Sequence, residues 1–291
     1  MKEKFIEYIR FEKRFSLHTV TAYENDLTQF SDFLQAQFDE ADLSKAGTQM
    51  IRSWLVSLLE SGISARSVNR KLTVLKSYYR FLIRNGISEV NPVNPVSSLK
   101  TSKRLPVYVE KDRIDILFDK VQFGEGYPAI RDRMIMEMLY ATGMRLSELV
   151  NLREADLDLH QASVKVTGKR NKERVIPFGK RMGDLAALYL DIKRSTFPGQ
   201  PWLFLSDSGR KIYGKLVYRV VHRILAEAST LSKRSPHVLR HTFATHLLNN
   251  GAELNAVKEL LGHSSLSATQ IYTHNAIDKL KRIYQQAHPK A

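Results

Sequence analysis

The sequence contains no cysteine. That absence removes disulfide scaffolds, thiolate zinc sites, iron–sulfur clusters and cysteine nucleophiles together, and it fits most easily with a reducing cytoplasm. Long apolar runs are also lacking. The greasiest stretch, MIMEMLY, is broken by Glu137 and falls far short of the roughly 18 apolar residues of a membrane span. The opening residues MKEKFIEYIRFEKRF alternate charged and apolar side chains, so they offer no apolar segment of the kind an export signal needs. A soluble, cytoplasmic protein with no membrane insertion is expected. Acidic residues are in deficit as well: 30 Asp and Glu face 45 Lys and Arg among 291 residues, a formal net charge of +15, and such an excess points to a polyanionic partner. With 43% hydrophobic and 26% charged residues the composition is that of a folded globular chain, and the length suggests about two domains.

What is present is mainly helical periodicity. Leu17, Val20, Tyr23, Leu27, Phe30 and Leu34 recur at spacings of three and four, predicting an amphipathic helix from Ser16 to Gln37 with Ser16 as its cap. Similar patterns run from Thr48 to Leu59 and from Ser64 to Ile83, and with the opening segment they make four helices. After Gly86 the stretch NPVNPVSSLKTSKRLP loses all period and carries three prolines, which reads as a linker over 88–106 between domains at 1–87 and 107–291. Both parts are basic: up to Arg104 there are 16 basic and 11 acidic residues, a net +5, and beyond it 29 and 19, a net +10. The second part predicts helices at Lys111–Val121 and Ala129–Thr142 and a short one from about Ser147. A β-hairpin follows, with strands at Ala162–Val166 and Arg174–Pro177 around Gly168 and Asn171. Helices resume from Gly179 and cover Gly214–Ala228, Val238–Asn249, Leu254–Leu260 and Ala276–His288, with Gly251 and Gly262 as stops. No internal repeat or low-complexity segment interrupts this order.

The segment SPHVLRHTFATHLLNNG sets His237 and Arg240 three apart on a helix opened by Pro236, so both lean over one face. The pair can grip a phosphate, Arg with its forked donors and His with a proton equilibrium near neutrality, or it can be an ordinary basic helix surface. His237, His241, His246 and His263 raise a metal site, but Val238 stands where a helical zinc motif needs Glu. In ATGMRLSEL, Arg145 follows Gly143 at a turn between helices and Glu148 stands ready to pair with it; a local ion pair is the alternative. Lys169, Arg170, Lys172 and Arg174 lie in or near the hairpin turn, a way to present charge to a phosphate backbone. A lysine there can protonate a leaving oxygen, which an arginine does poorly. In LGHSSLSATQIYTH, Tyr272 is either packed bulk or a nucleophile.

Together these phrases resemble the tyrosine recombinase (phage integrase) family, and over the whole length the chain looks like the Xer recombinases of bacteria. The family's ordered Arg, Lys, His-x-x-Arg, His and Tyr fall on Arg145, Lys169, His237 with Arg240, His263 and Tyr272. Met144 and Ala268 depart from common choices without touching a reactive group. The resemblance implies a mainly α fold: a four-helix, SAM-like core-binding domain and a mainly α catalytic domain with a small β-sheet or hairpin, the DNA breaking-rejoining fold. It implies that Tyr272 attacks a scissile DNA phosphate with His237 accepting its proton, that Arg145 and Arg240 hold the non-bridging oxygens, that Lys169 protonates the leaving 5′-oxygen, and that His263 positions the phosphate. It requires no cofactor and no metal. The implied partners are double-stranded DNA, three further protomers in a homo- or hetero-tetramer with a related recombinase, and a septal DNA translocase as activator at a dif-type site. The terminal helix, with Ile277, Leu280 and Tyr284, would dock on a neighbouring subunit or pack on its own domain. A mobile-element integrase shares the same chemistry, and a non-catalytic basic DNA-binding protein is the remaining alternative.

Overall fold

The computed structural model describes residues 1–101, 107–119, 123–168, 172–228, 233–262 and 274–290, the side chains of 274–280 excepted. The chain forms two compact units, Met1–Arg104 and Leu105–Ala291. It is mainly helical.

In the first unit, α1 (Lys2–Glu7) runs on into a wider π turn at Tyr8–Glu12, and α2 (Leu17–Phe38), α3 (Thr48–Glu60) and α4 (Ala65–Arg84) follow. The starts of α2 and α4 are set by serine caps, since Ser16 accepts from the Thr19 N–H at 3.3 Å and Ser64 from the Ser67 N–H at 3.4 Å. Phe5, Leu27, Phe30, Leu34, Ile51, Trp54, Val68, Leu72, Leu75 and Tyr79 form the core. The proline-containing stretch does not leave the unit at once. Val93 and Val96 are buried in the same core, and Asn69 brackets Leu99, donating to its carbonyl at 2.9 Å and accepting from its N–H at 2.8 Å. Two valines three residues apart supply the apolar anchor that a free linker would lack.

The second unit begins with α5 (Lys111–Asp119) and α6 (Gly126–Thr142). The latter starts earlier than the period predicts, because Pro128 falls in the first turn, where a missing N–H costs nothing. Next come α7 (Leu146–Val150) and a three-stranded antiparallel sheet of β1 (Leu157–Asp158), β2 (Ser163–Thr167) and β3 (Glu173–Pro177). The register pairs Val164 with Ile176 and Val166 with Arg174; β1 is a two-residue addition to the expected hairpin. Then α8 (Lys180–Thr196), α9 (Gly214–Ala228), α10 (Pro236–Asn249), α11 (Leu254–Leu261) and α12 (His274–Ala287) complete the unit. Its core gathers Met134, Ile135, Met138, Leu139, Val164, Ile176, Tyr189, Phe204, Val221, Leu239, Phe243 and Leu260. The last turn of α12 belongs to this core. Tyr284 is 1% exposed and stacks on His288 at 4.7 Å, and Asn250 donates to the Ala287 carbonyl at 2.7 Å. The Ile277 and Leu280 side chains lie outside the described residues. No helix among the described residues is long and apolar enough to cross a membrane.

Candidate active site

α6 is buried almost all round and ends at Gly143, whose left-handed φ of 58° reverses the chain. A side chain there would collide with the Phe243 ring of α10, so glycine is needed for both the turn and the close approach. Met144, 1% exposed, anchors the turn in the core. Arg145 then takes extended backbone angles at the N-cap of α7, and Glu148 reaches back to accept its N–H at 2.8 Å. The same carboxylate accepts from Arg145 Nη1 at 2.8 Å, which fixes the guanidinium while its side chain stays 29% exposed.

Arg240 arrives from α10. It is 9% exposed and donates from Nη1 to the Gly143 carbonyl at 2.6 Å and from Nη2 to the Leu261 carbonyl at 2.7 Å. Burial, followed by the neighbouring charges of Arg145 and Arg174, brings its pKa down to about 10; it remains a cation at neutral pH. His237, one turn earlier on α10, is exposed. The helix therefore turns Arg240 inward and leaves His237 toward solvent, a division the spacing of three does not distinguish.

The guanidinium of Arg174 in β3 meets Glu148 as a fork, Nη1 on Oε1 and Nη2 on Oε2, both at 2.8 Å. Its side chain is 5% exposed, so the sequence expectation that it joins the phosphate-facing charges of the turn is corrected. Strand alternation explains the difference: Arg174 and Ile176 point to the same, inner face of β3. Glu148 is itself buried, which would raise its pKa, but the hydrogen bonds and charge of Arg174 and then those of Arg145 outweigh this and hold it at about 2. One carboxylate thus sits among three guanidiniums, leaving a local excess of positive charge suited to an anion with several oxygens.

Arg145 and Arg240 are brought together; Lys169, His263 and Tyr272 lie outside the described residues. Gly168, the residue before Lys169, lies beside Glu148: a Cβ on it would stand 3.3 Å from Oε1. Gly262, the residue before His263, caps α11 and accepts from Arg145 Nη2 at 3.1 Å. The described neighbours of Lys169 and His263 therefore border the same cluster. Of the remaining histidines, His246 is buried with Nδ1 3.0 Å from the Tyr140 hydroxyl, and burial lowers its pKa, while His241 is exposed. Among the described residues no group of His, Asp and Glu is arranged to hold a metal ion.

This arrangement stands on a chain whose residues 108–279 match the phage integrase family and whose residues 3–86 match the phage integrase N-terminal SAM-like domain. The chain belongs to the phage integrase family of tyrosine recombinases. It is an enzyme that cuts and rejoins DNA strands. A protein of Oceanobacillus iheyensis named tyrosine recombinase XerC is 40% identical over 99% of this chain and 96% of its own length. The protein of that name from Bacillus subtilis is 36% identical over 99% and 95%. Among solved structures, the XerH site-specific recombinase in a post-cleavage complex with a palindromic difH substrate superposes with a TM-score of 0.74 at 23% identity, covering 97% of this chain and 83% of that one. A lambda integrase tetramer bound to a Holliday junction gives 0.68 at 19%, covering 93% and 79%. At these identities the structural likeness concerns the fold, and the tyrosine recombinase fold is the one described above.

Proposed function

We propose that this tyrosine recombinase resolves chromosome dimers at a dif-type site during cell division, working through a 3′-phosphotyrosyl intermediate on Tyr272. The observation that carries the chemistry is the meeting of Arg145 and Arg240, from two different helices, around the single carboxylate of Glu148. End-to-end similarity to proteins named tyrosine recombinase XerC supports the biological setting. In this reading residues 1–87 bind the core of the site, 88–106 link the domains and 107–291 carry catalysis.

The Tyr272 hydroxyl attacks phosphorus, its proton passes to His237, and the bond to the 5′-oxygen breaks as Lys169 delivers a proton to the leaving group. A phenol with a pKa near 10 is a weak nucleophile at neutrality, so it depends on that base. Arg145 and Arg240 neutralise the non-bridging oxygens as charge develops, and His263 adds a hydrogen bond that positions the phosphate. Fixed guanidiniums do here what a metal does in many nucleases. The phosphotyrosyl bond conserves the energy of the broken phosphodiester, so a 5′-hydroxyl from a partner duplex reseals the strand without ATP. Four protomers on two duplexes, identical or paired with a related recombinase, provide that exchange in the cytoplasm, with a septal DNA translocase as the trigger.

The test is to incubate wild-type and Tyr272→Phe protein with sheared genomic DNA, with and without EDTA, and to sequence DNA that stays attached after denaturation. We expect an EDTA-resistant adduct that needs Tyr272 and maps to one chromosomal locus. Adducts at the ends of a mobile element would replace chromosome maintenance with element mobility. The absence of any adduct, on genomic DNA and on a nicked dif-like duplex, would overturn the catalytic assignment.

A further inference from the structure

The C-terminal end of α11 is closed by three guanidiniums, one to each of three consecutive carbonyls. Arg174 Nε donates to Leu260 at 2.8 Å, Arg240 Nη2 to Leu261 at 2.7 Å and Arg145 Nη2 to Gly262 at 3.1 Å. These are the acceptors a helix end leaves without intrahelical partners, and they lie at the negative end of its dipole. Arg145 and Arg240 already have a place in the proposed reaction. Arg174 does not: it comes from a different element, β3, and is buried at 5%. It nevertheless holds the end of α11, through Nε, and both oxygens of Glu148, through its fork.

Those two grips define what Arg145 can do. Glu148 sets the direction of Arg145 through the backbone N–H and Nη1, and Gly262 sets it from the other side through Nη2. Both supports are themselves held by Arg174. Gly262 is fitted to this role: its φ is +64°, and a Cβ on it would lie 3.1 Å from Arg174 Nη1 and 3.2 Å from Cζ. The guanidinium therefore packs closely against the Gly262 backbone. An ammonium carries its three donors on one atom and could not reproduce the fork on Glu148 while reaching Leu260.

We propose that Arg174 is a positioning residue for strand cleavage, holding Glu148 and the end of α11 so that Arg145 presents its guanidinium to the scissile phosphate. The inference rests on the reading of Arg145 as a phosphate ligand. Its effect belongs to the chemical step. DNA affinity is spread over many basic residues, whereas a small displacement of one transition-state ligand costs on the order of 100-fold in rate.

The experiment uses full-length wild type, Arg174→Lys, Gly262→Ala and Arg145→Lys protein with a nicked duplex carrying the locus recovered in the adduct mapping. DNA affinity, thermal midpoint and the rate of covalent adduct formation at saturating protein are measured for each. For Arg174→Lys we expect unchanged DNA affinity, a folded protein and a rate lower by about 100-fold. Gly262→Ala keeps every charge and pushes the fork out of place, so it should slow the rate by about 10-fold, a fraction of the loss a misplaced ligand can produce; it decides the matter if Arg174→Lys fails to fold. Wild-type rates in the folded variants, or losses that only follow DNA binding or the folded fraction, would overturn the proposal. An inactive Arg145→Lys beside an active Arg174→Lys overturns the positioning role alone. An active Arg145→Lys overturns the phosphate reading and the positioning role with it.

Discussion

A buried carboxylate held among cations occurs in each unit, Asp26 in the first and Glu148 in the second, and these two clusters differ in how their positive excess is disposed. In the first unit Asp26, 2% exposed, accepts from Lys71 at 2.7 Å and from Arg70 Nη2 at 3.0 Å. Lys71 is buried beneath Trp54, but the Arg70 side chain is 49% exposed. Water therefore solvates the surplus charge, and the cluster is complete as it stands. In the second unit Glu148 faces three guanidiniums, of which Arg174 and Arg240 are buried and Arg145 is only partly exposed. Two positive charges more than the carboxylate can balance are held where water screens them poorly. The first cluster fastens α4 to α2. The second concentrates charge in a place that an anionic substrate completes.

The sharpest way to break this comparison is to remove one charged partner from each cluster. Arg240→Met should lower the rate of adduct formation by about 100- to 1,000-fold, equivalent to about 2.7–4 kcal/mol of transition-state stabilisation, as read by single-turnover cleavage of a nicked duplex. Its thermal midpoint should move much less, because burial and the neighbouring arginines already disfavour the charged Arg240. In the first unit the order reverses. Asp26→Ala leaves Lys71 buried without its carboxylate and should cost about 3 kcal/mol in urea unfolding, while the folded fraction cleaves at the normal rate. A smaller effect lies in the pH dependence of the second cluster. Glu148 titrates at about 2 in the folded chain against an ordinary 4.5, so its contribution is complete above about 4.5 and is lost as pH falls toward 2. Acid unfolding followed by circular dichroism should be steeper over that window in wild type than in Glu148→Gln. The smallest change is Arg70→Ala, which removes a half-exposed partner and should cost under about 1 kcal/mol by urea unfolding.

The helices of the first unit were legible because each is amphipathic: Leu27, Phe30 and Leu34 repeat at the helical period and Ser16 marks the start. The start of α6 was less so, since a helix buried on nearly every side has little hydrophobic period to read, and Pro128 suggests a boundary where the structure has a first turn. Arg145, His237 and Arg240 stood out through their local phrases, but their different exposures depend on packing against α11, which lies more than ten residues further along the chain. Arg174 was misread for a plainer reason. Its neighbours Lys172 and Glu173 are exposed, and composition assigned it to them, whereas alternation along β3 puts it on the face of Ile176. The signal was the period of two, read from Ile176 backward.

The end of α11 also limits how the chain can vary. Because three consecutive carbonyls each receive a different arginine, inserting or deleting one residue within Leu254–Leu261 would turn the following carbonyls by about 100° and shift them by about 1.5 Å. All three bonds would be lost at once, and no single compensating substitution could restore them. Chimeras between this recombinase and its relatives should therefore place their junctions outside α11, and length differences should accumulate in surface loops.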